Sequence, residues 1–249
     1  MLAARALEGL PEIVTGDDLA AILAQAMPDG SPAATEVLVI AHKVVSKAEG
    51  RTRRLSAVTP TPRAEGLATL LGKDPRHVQV VLDETREVRR AAHGVLIAVT
   101  HHGFVCANAG VDASNAPDDD TVILLPTDPD RSARHIRDRL RALTGRAPAV
   151  LITDSFGRAW RHGQCDVAIG AAGLRPLEDW RGRTDAYGRV LKATWIAVAD
   201  QLAGAADLAR AKDARQPAIL ITGADRHVMD KDGPGAGALL RDPAHDLFR

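Results

Sequence analysis

The chain has 249 residues, with Lys plus Arg and Asp plus Glu equal at 32 each, so no net field speaks for a nucleic-acid or membrane surface. Aromatic residues make up only 3% and cysteines number two, which argues against base-stacking platforms and a disulfide framework and leaves the core to Ala, Val, Leu and Ile. No apolar run approaches the roughly twenty residues that cross a bilayer, and the opening MLAARALEGLPEIVTGDD lacks a signal-peptide segment, so a soluble chain in a reduced, cytoplasmic setting with a small-molecule partner is expected.

In chain order, GDDLAAILAQAM (16–27) predicts a helix with Thr15 as N-cap and Leu19, Ile22, Leu23 and Ala26 on one face. EVLVIAHKVVS (36–46) reads as a buried strand. Residues 62–92 predict helix in two pieces broken near GKDPR, with Pro75 opening the second. GVLIAVT, HHG and FVCANAG (94–110) read as a hairpin turning at Gly103. TVILLP (121–126) adds a strand, and DPDRSARHIRDRLRALTG (128–145) a helix with Asp128 or Asp130 at its start and Gly145 just past its end. APAVLITDS (147–155) and CDVAIGAAG (165–173) read as strands, TWIAVADQLAGAADLARA (194–211) as a long helix and PAILITG (217–223) as a last strand. The class is mixed α and β without a βαβ rhythm, with seams expected at 58–62 and 145–148.

The chemistry concentrates where strands stop. GVDASN (110–115) and ITDSFGR (152–158) each place an aspartate at or just beyond an apolar strand, with a small hydroxyl residue beside it. Brought together, Asp112 and Asp154 would offer the oxygen ligands that hard cations such as Mg2+ or Mn2+ prefer; read alone, each also fits the commoner role of an Asx cap. A Walker loop is absent, and GPGAGA (233–238) follows no strand and reads as a flexible loop. HKVVSKAEGR (42–51) offers Lys43, Lys47 and Arg51 either as point charges for a polyphosphate or as a solvated basic edge. His101, His102, His162, Cys106 and Cys165 lack zinc-site spacing, so the two neighbouring histidines read as turn residues and Cys106 as a small buried group. Arg158 and Arg161 follow Asp154 closely and could neutralise an anionic substrate, or be ordinary surface arginines beside Trp160.

Taken in order, LPEI, VVSKAEGR, GFVCANAGVDASN, ITDSFGRAWRHGQCDVAIG, LKATWIAVADQLAGAADL and the closing DLFR resemble the coenzyme F420-0:L-glutamate ligase family from about residue 10 to the end. The resemblance implies an α+β, two-lobed fold, an intertwined homodimer and a standalone ligase module without an appended nitroreductase-like domain. It implies a GTP-dependent ligase that joins the L-glutamate amino group to a carboxylate of a deazaflavin coenzyme precursor through an acyl phosphate. That route is chemically sound, because a carboxylate oxygen leaves poorly until phosphorylated and divalent metal offsets phosphate charge during transfer. Carried over, the metal ligands are Asp112, Asp154 and Ser155, with a further acid in the late helix at Asp207 or, failing that, Asp200. The nucleotide contacts are Leu10, Pro11, Glu12, Ile13, His42, Lys47 and Asn115, and Arg158 and Arg161 are assigned to substrate anions. Two divalent cations, Mg2+ or Mn2+, are implied, with room for K+. The chain departs from the family pattern at His42, where serine is usual, at Thr222, where arginine is common, and at Ala159, where proline is usual, positions that bear on nucleotide preference and acceptor. The rival readings are a metal-dependent phosphohydrolase using the same aspartates and a non-catalytic nucleotide-binding protein.

Overall fold

Val37, Leu38, Val39 and Ile40 are fully buried, the mark of a strand covered on both faces. Leu38 and Ile40 join one apolar cluster and Val37 and Val39 another, as the two-residue period of a strand requires. The computed structural model describes residues 1–27, 33–210 and 215–246. Its first half contains β1 (Ala3–Ala6), α1 (Leu19–Ala26), β2 (Val37–Ala41), α2 (His42–Ala48), β3 (Thr52–Arg54), α3 (Pro62–Leu71), α4 (Pro75–Asp83), β4 (Thr85–Ala92), β5 (Val95–Thr100) and β6 (Val105–Ala107). There follow β7 (Thr121–Ile123), α5 (Pro129–Thr144), β8 (Ala149–Arg158), β9 (Arg161–Ala172), β10 (Glu178–Asp179), β11 (Trp195–Ile196), α6 (Val198–Ala209) and β12 (Ala218–Thr222).

Five strands form the main sheet in the order β1-β12-β2-β8-β9, with β2 and β8 parallel and the other neighbours antiparallel. The alternation seen in β2 repeats in β8, where Val150 and Ile152 face one cluster and Ala149 and Leu151 the other. On one face α1 contributes Leu19 and Leu23 and α5 contributes Ala133, Ile136 and Leu140; on the other, α6 contributes Val198, Leu202 and Ala206. These three- and four-residue spacings are those of single helix faces. Each fully buried Leu, Ile or Val stabilises the sheet by about 1.5–3 kcal/mol relative to exposure. A third cluster gathers Leu55, Leu71, Val80, Val81, Leu96 and Val122 from α3, α4, β5, β7 and the turn after β3. Residues 58–62 lead into α3 beside this cluster, and 145–148 turn from α5 into β8.

Several expected elements change. The strand expected over 36–46 ends at Ala41, and α2 follows because His42, Val45 and Ser46 recur at helical spacing and are buried. Residues Thr85–Ala92 form a strand, not the end of a second helix: His93 and Gly94, at φ 51° and 73°, make a tight turn that folds β4 back on β5. Asp18, not Thr15, caps α1 by accepting from the Ala21 N–H. The helix expected over 194–211 starts only at Val198, since Trp195–Ile196 pairs with Glu178–Asp179; residue 211 and the 247–249 part of DLFR lie outside the described residues. GPGAGA is held rather than loose, because the Asp130 carboxylate accepts the Ala236 N–H at 2.7 Å and the Gly237 N–H at 3.3 Å together with that of Ala171 on β9 at 2.8 Å. The β5–β6 hairpin, the Asp128 cap and Gly145 at the end of α5 are as the sequence predicts.

Candidate active site

β2 stops at Ala41, but its parallel neighbour β8, paired with it from Ala149 to Thr153, runs on to Arg158. A cavity of about 320 Å³ opens at that step, lined by His42 and Lys43 from α2 and by Thr153, Asp154 and Ser155 from β8. This is the carboxyl end of two parallel strands, where open sheets place ligand sites. An irregularity in the β8–β9 pairing between Ile152 and Thr153 immediately precedes Asp154 and re-aims the residues that follow.

Asp112 reaches the same cavity from the third cluster. Its N–H donates to the Ile123 carbonyl at 3.0 Å and its carbonyl accepts from Ile123 N–H at 2.8 Å, which ties the loop to β7. The carboxylate then accepts the Ser114 N–H at 2.7 Å and the Ser114 hydroxyl at 2.9 Å, and pairs with Lys43 at 2.7 Å. Asn115 follows with φ 60°, a left-handed conformation that asparagine tolerates better than most residues. Burial pushes the Asp112 carboxyl up, but the Lys43 ammonium and the two Ser114 bonds outweigh it and hold the group below the ordinary value. Asp112 and Asp154 are thus brought to one cavity; Asp112 also makes the local turn bond of an Asx residue to the Ser114 N–H, whereas Asp154 lies within β8 and caps nothing.

Four carboxylates line that cavity, those of Asp112, Asp154, Asp166 and Asp207, against two cations, Lys43 and Arg210. Asp207 takes its place there, whereas Asp200, two turns earlier on α6, turns to β9 and accepts the Ala168 N–H at 2.9 Å; burial raises the Asp200 carboxyl above the usual range. With Ser155, Gln164 and Asn115 the donors are mainly oxygen, the chemistry a hard divalent cation takes. No group of three or more His, Cys, Asp or Glu side chains is drawn close enough to hold an ion among the described residues. Lys43 occupies one carboxylate, and His42 Nε2 approaches Asp154 to 3.3 Å without hydrogen-bond alignment.

Asp166 is the member the sequence reading missed. It is 2% exposed, and its oxygens accept the Ser155 hydroxyl at 2.6 Å, the Thr153 hydroxyl at 2.9 Å and Arg210 Nη1–H at 2.7 Å. A lone acid inside the apolar run CDVAIG was the available signal, since a buried carboxylate needs partners. Arg210 gave none, because its role depends on where α6 ends.

A second cavity of about 680 Å³ adjoins the first, and the two share Ala41, Lys43, Asn115 and Arg210. Leu10, Pro11, Glu12, Ile13 and Lys47 line it along with Asn115, so six of the seven residues assigned to the nucleotide lie on one wall system. The seventh, His42, faces the acidic cavity instead and lies within 3.3 Å of the Ser46 hydroxyl through Nδ1. The larger cavity reverses the charge balance: Lys43, Lys47, Arg210 and Arg215 face the single acid Glu12, which pairs with Lys47 at 2.5 Å.

The remaining residues lie elsewhere. Arg158 and Arg161 sit at the exposed tip of the β8–β9 hairpin, beside Ala159 and outside the lining of both cavities. Arg51 turns away to Glu84 at 2.7 Å and the Leu125 carbonyl at 3.0 Å. His101 and His102 lie in the turn between β5 and β6 and reach across to the Asp83 and Pro126 carbonyls. Cys106 is buried, and burial with the nearby Asp154 charge pushes its thiol up to about 12, so it is inert at neutral pH. Thr222 is the exposed last residue of β12, opposite Ala3.

A family model described as F420-0:Gamma-glutamyl ligase matches residues 9–223. The protein from Methanothermobacter thermautotrophicus named Coenzyme F420:L-glutamate ligase is 43% identical over 246 residues, covering 98% of this chain and 97% of its own. Its namesake from Methanopyrus kandleri is 47% identical over 238 residues, covering 94% and 92%, and that from Haloarcula marismortui 42% over 251 residues, covering 98% and 94%. No helix among the described residues is long and apolar enough to cross a membrane.

Proposed function

The chain belongs to the F420-0:gamma-glutamyl ligase family, and on that premise we propose that it ligates L-glutamate to the deazaflavin coenzyme precursor F420-0, using GTP, in the cytoplasm. The observation that carries this reading is the pair of adjoining cavities of opposite charge with Lys43, Asn115 and Arg210 on their common wall. The cationic cavity suits a triphosphate and the acidic one a divalent cation, Mg2+ or Mn2+, with the terminal phosphate at the junction. In the reaction, a carboxylate oxygen of the acceptor attacks the γ-phosphorus and GDP leaves; the glutamate amine then displaces phosphate from the acyl phosphate to give the amide.

Asp112, Asp154, Ser155 and Asp207 would hold divalent cations, which supply charge neutralisation on the phosphates during transfer. The Leu10–Ile13 segment and Asn115 would grip the nucleoside and α-phosphate region, with Lys47 and Arg215 as counter-charges. Lys43, which reaches both Asp112 and Ser114 and lines both cavities, would meet the terminal phosphate. Arg158 and Arg161 would meet the outlying anionic groups of glutamate or the acceptor, and charge reversal at either is expected to raise the KM for that substrate and leave the KM for GTP unchanged. The active form on this reading is a two-lobed, intertwined homodimer, in which a partner would cover large apolar groups such as Trp160 and Leu208, 82% and 92% exposed. K+ would act only as an accessory ion.

Mass spectrometry after incubation with GTP, Mn2+, L-glutamate and F420-0 tests the proposal. The expected product is the precursor enlarged by glutamyl residues, with phosphate released only when glutamate and acceptor are both present. Phosphate release without glutamate would make the protein a phosphohydrolase, and GTP binding with no product would make it a non-catalytic nucleotide binder.

A further inference from the structure

Arg210, at the C-terminal end of α6, lines both cavities, and its side chain is 10% exposed. A guanidinium carries five N–H donors in a fixed fork. Here Nη1 donates to Asp166 at 2.7 Å, Nη2 makes a long contact of 3.5 Å with the Pro217 carbonyl, and Nε is buried without an acceptor among the described residues. A purely structural arginine has its donors used up, as Arg137 shows: it is 2% exposed and spends its guanidinium on the carbonyls of Pro148, Met229 and Asp230 and on Asp232. Arg210 instead lies mostly buried at the junction of two cavities with donor capacity unspent among the described residues.

We infer that Arg210 is a catalytic residue that contacts the terminal phosphate of the nucleotide where the two cavities meet, and that Asp166 is its positioning residue. The inference rests on the functional reading above, since it takes the larger cavity as the nucleotide site. Asp166 is suited to this task because it fixes three groups at once, the hydroxyls of Thr153 and Ser155 on β8 and the guanidinium from α6. It holds Arg210 through Nη1, which leaves Nε and the weakly engaged Nη2 as the donors for a phosphate oxygen. An arginine in that place matches phosphate geometry and stabilises the charge that spreads over the equatorial oxygens during transfer.

The test is calorimetric titration of GTP and of GDP, each with Mg2+, into the wild-type protein and into Arg210→Ala and Arg210→Lys, alongside kcat with saturating substrates. Because the terminal phosphate is the only difference between the two nucleotides, Arg210→Ala is expected to weaken GTP about tenfold to a hundredfold and GDP little, with kcat falling further than GTP affinity. Arg210→Lys should recover part of the GTP preference. If truncation unfolds the chain by stranding Asp166, the Asp166→Asn, Arg210→Gln double variant removes both charges together and gives the same comparison. Equal weakening of GTP and GDP, or an unchanged preference for GTP in a folded variant, overturns the inference while leaving the ligase reading intact. A wild-type protein that binds neither nucleotide overturns both.

Discussion

Asp112 answers two demands with one carboxylate: it closes its own loop through Ser114 and it presents charge to a cavity shared with Asp154. Asp112→Asn keeps the shape and an acceptor for the Ser114 N–H but removes the charge, so ligase activity should fall at least about a hundredfold while the thermal midpoint at neutral pH changes little. The small change in stability has a definite pH dependence. A carboxyl held below its ordinary value in the folded chain contributes stability above the unfolded value near 3.8 and loses it as pH falls through the folded value. The gap between wild type and Asp112→Asn should therefore close on acidification below about pH 4, as thermal unfolding across a pH series will show. The sequence marked Asp112 and Asp154 because both follow apolar runs beside a small hydroxyl residue. It did not reveal that Lys43 pairs with Asp112 or that Asp166 sits beneath Ser155, because those contacts join segments far apart in the chain.

At the scale of elements, α6 offers a test within one helix. Asp200 and Asp207 lie seven residues apart on the same face, about 10 Å along the axis, yet one turns to β9 and the other lines the acidic cavity. Burial raises the Asp200 carboxyl, so its charge opposes folding at neutral pH, and its contribution is most favourable below 3.8 and lost as pH rises through the folded value. Asp200→Asn, which still accepts the Ala168 N–H, should unfold at an equal or higher temperature than wild type at pH 7, with the advantage gone near pH 4. Asp207→Asn should keep its thermal midpoint and lose activity. The packing of α5 on β9 supplies a second test: a Cβ on Gly170 would lie 2.4 Å from the Pro129 carbonyl oxygen, so Gly170→Ala should cost about 1–3 kcal/mol in urea titration. Elements with strong periodicity, β2, α5 and β8, were legible in the sequence. The switch from β2 into α2, and β4 where a helix was expected, were not, because HKVVSKA and TREVRRAA are polar enough to suit either form until tertiary pairing decides.

For the whole molecule, the site depends on two separately packed regions delivering acids to one place, β8 and α6 from the main sheet and the 110–115 loop from the third cluster. No sequence spacing encodes that meeting: β8 outruns its parallel neighbour β2 to open the cavity, and the bonds of Asp112 to Ile123 and Lys43 hold the loop beside it. The proposed dimer belongs to this scale too, and sedimentation equilibrium should return twice the 26.4 kDa of the chain, whereas a monomer mass would contradict it. The central claim is tested most directly by a crystal structure with Mn2+ and a non-hydrolysable GTP analogue, phased to show the manganese anomalous signal. The account predicts manganese at coordination distance, about 2.0–2.6 Å, from carboxylate oxygens of both Asp112 and Asp154, through one ion or two neighbouring ones, with the nucleotide's terminal phosphate beside it and its base in the larger cavity. Manganese and nucleotide bound away from those two aspartates would contradict it.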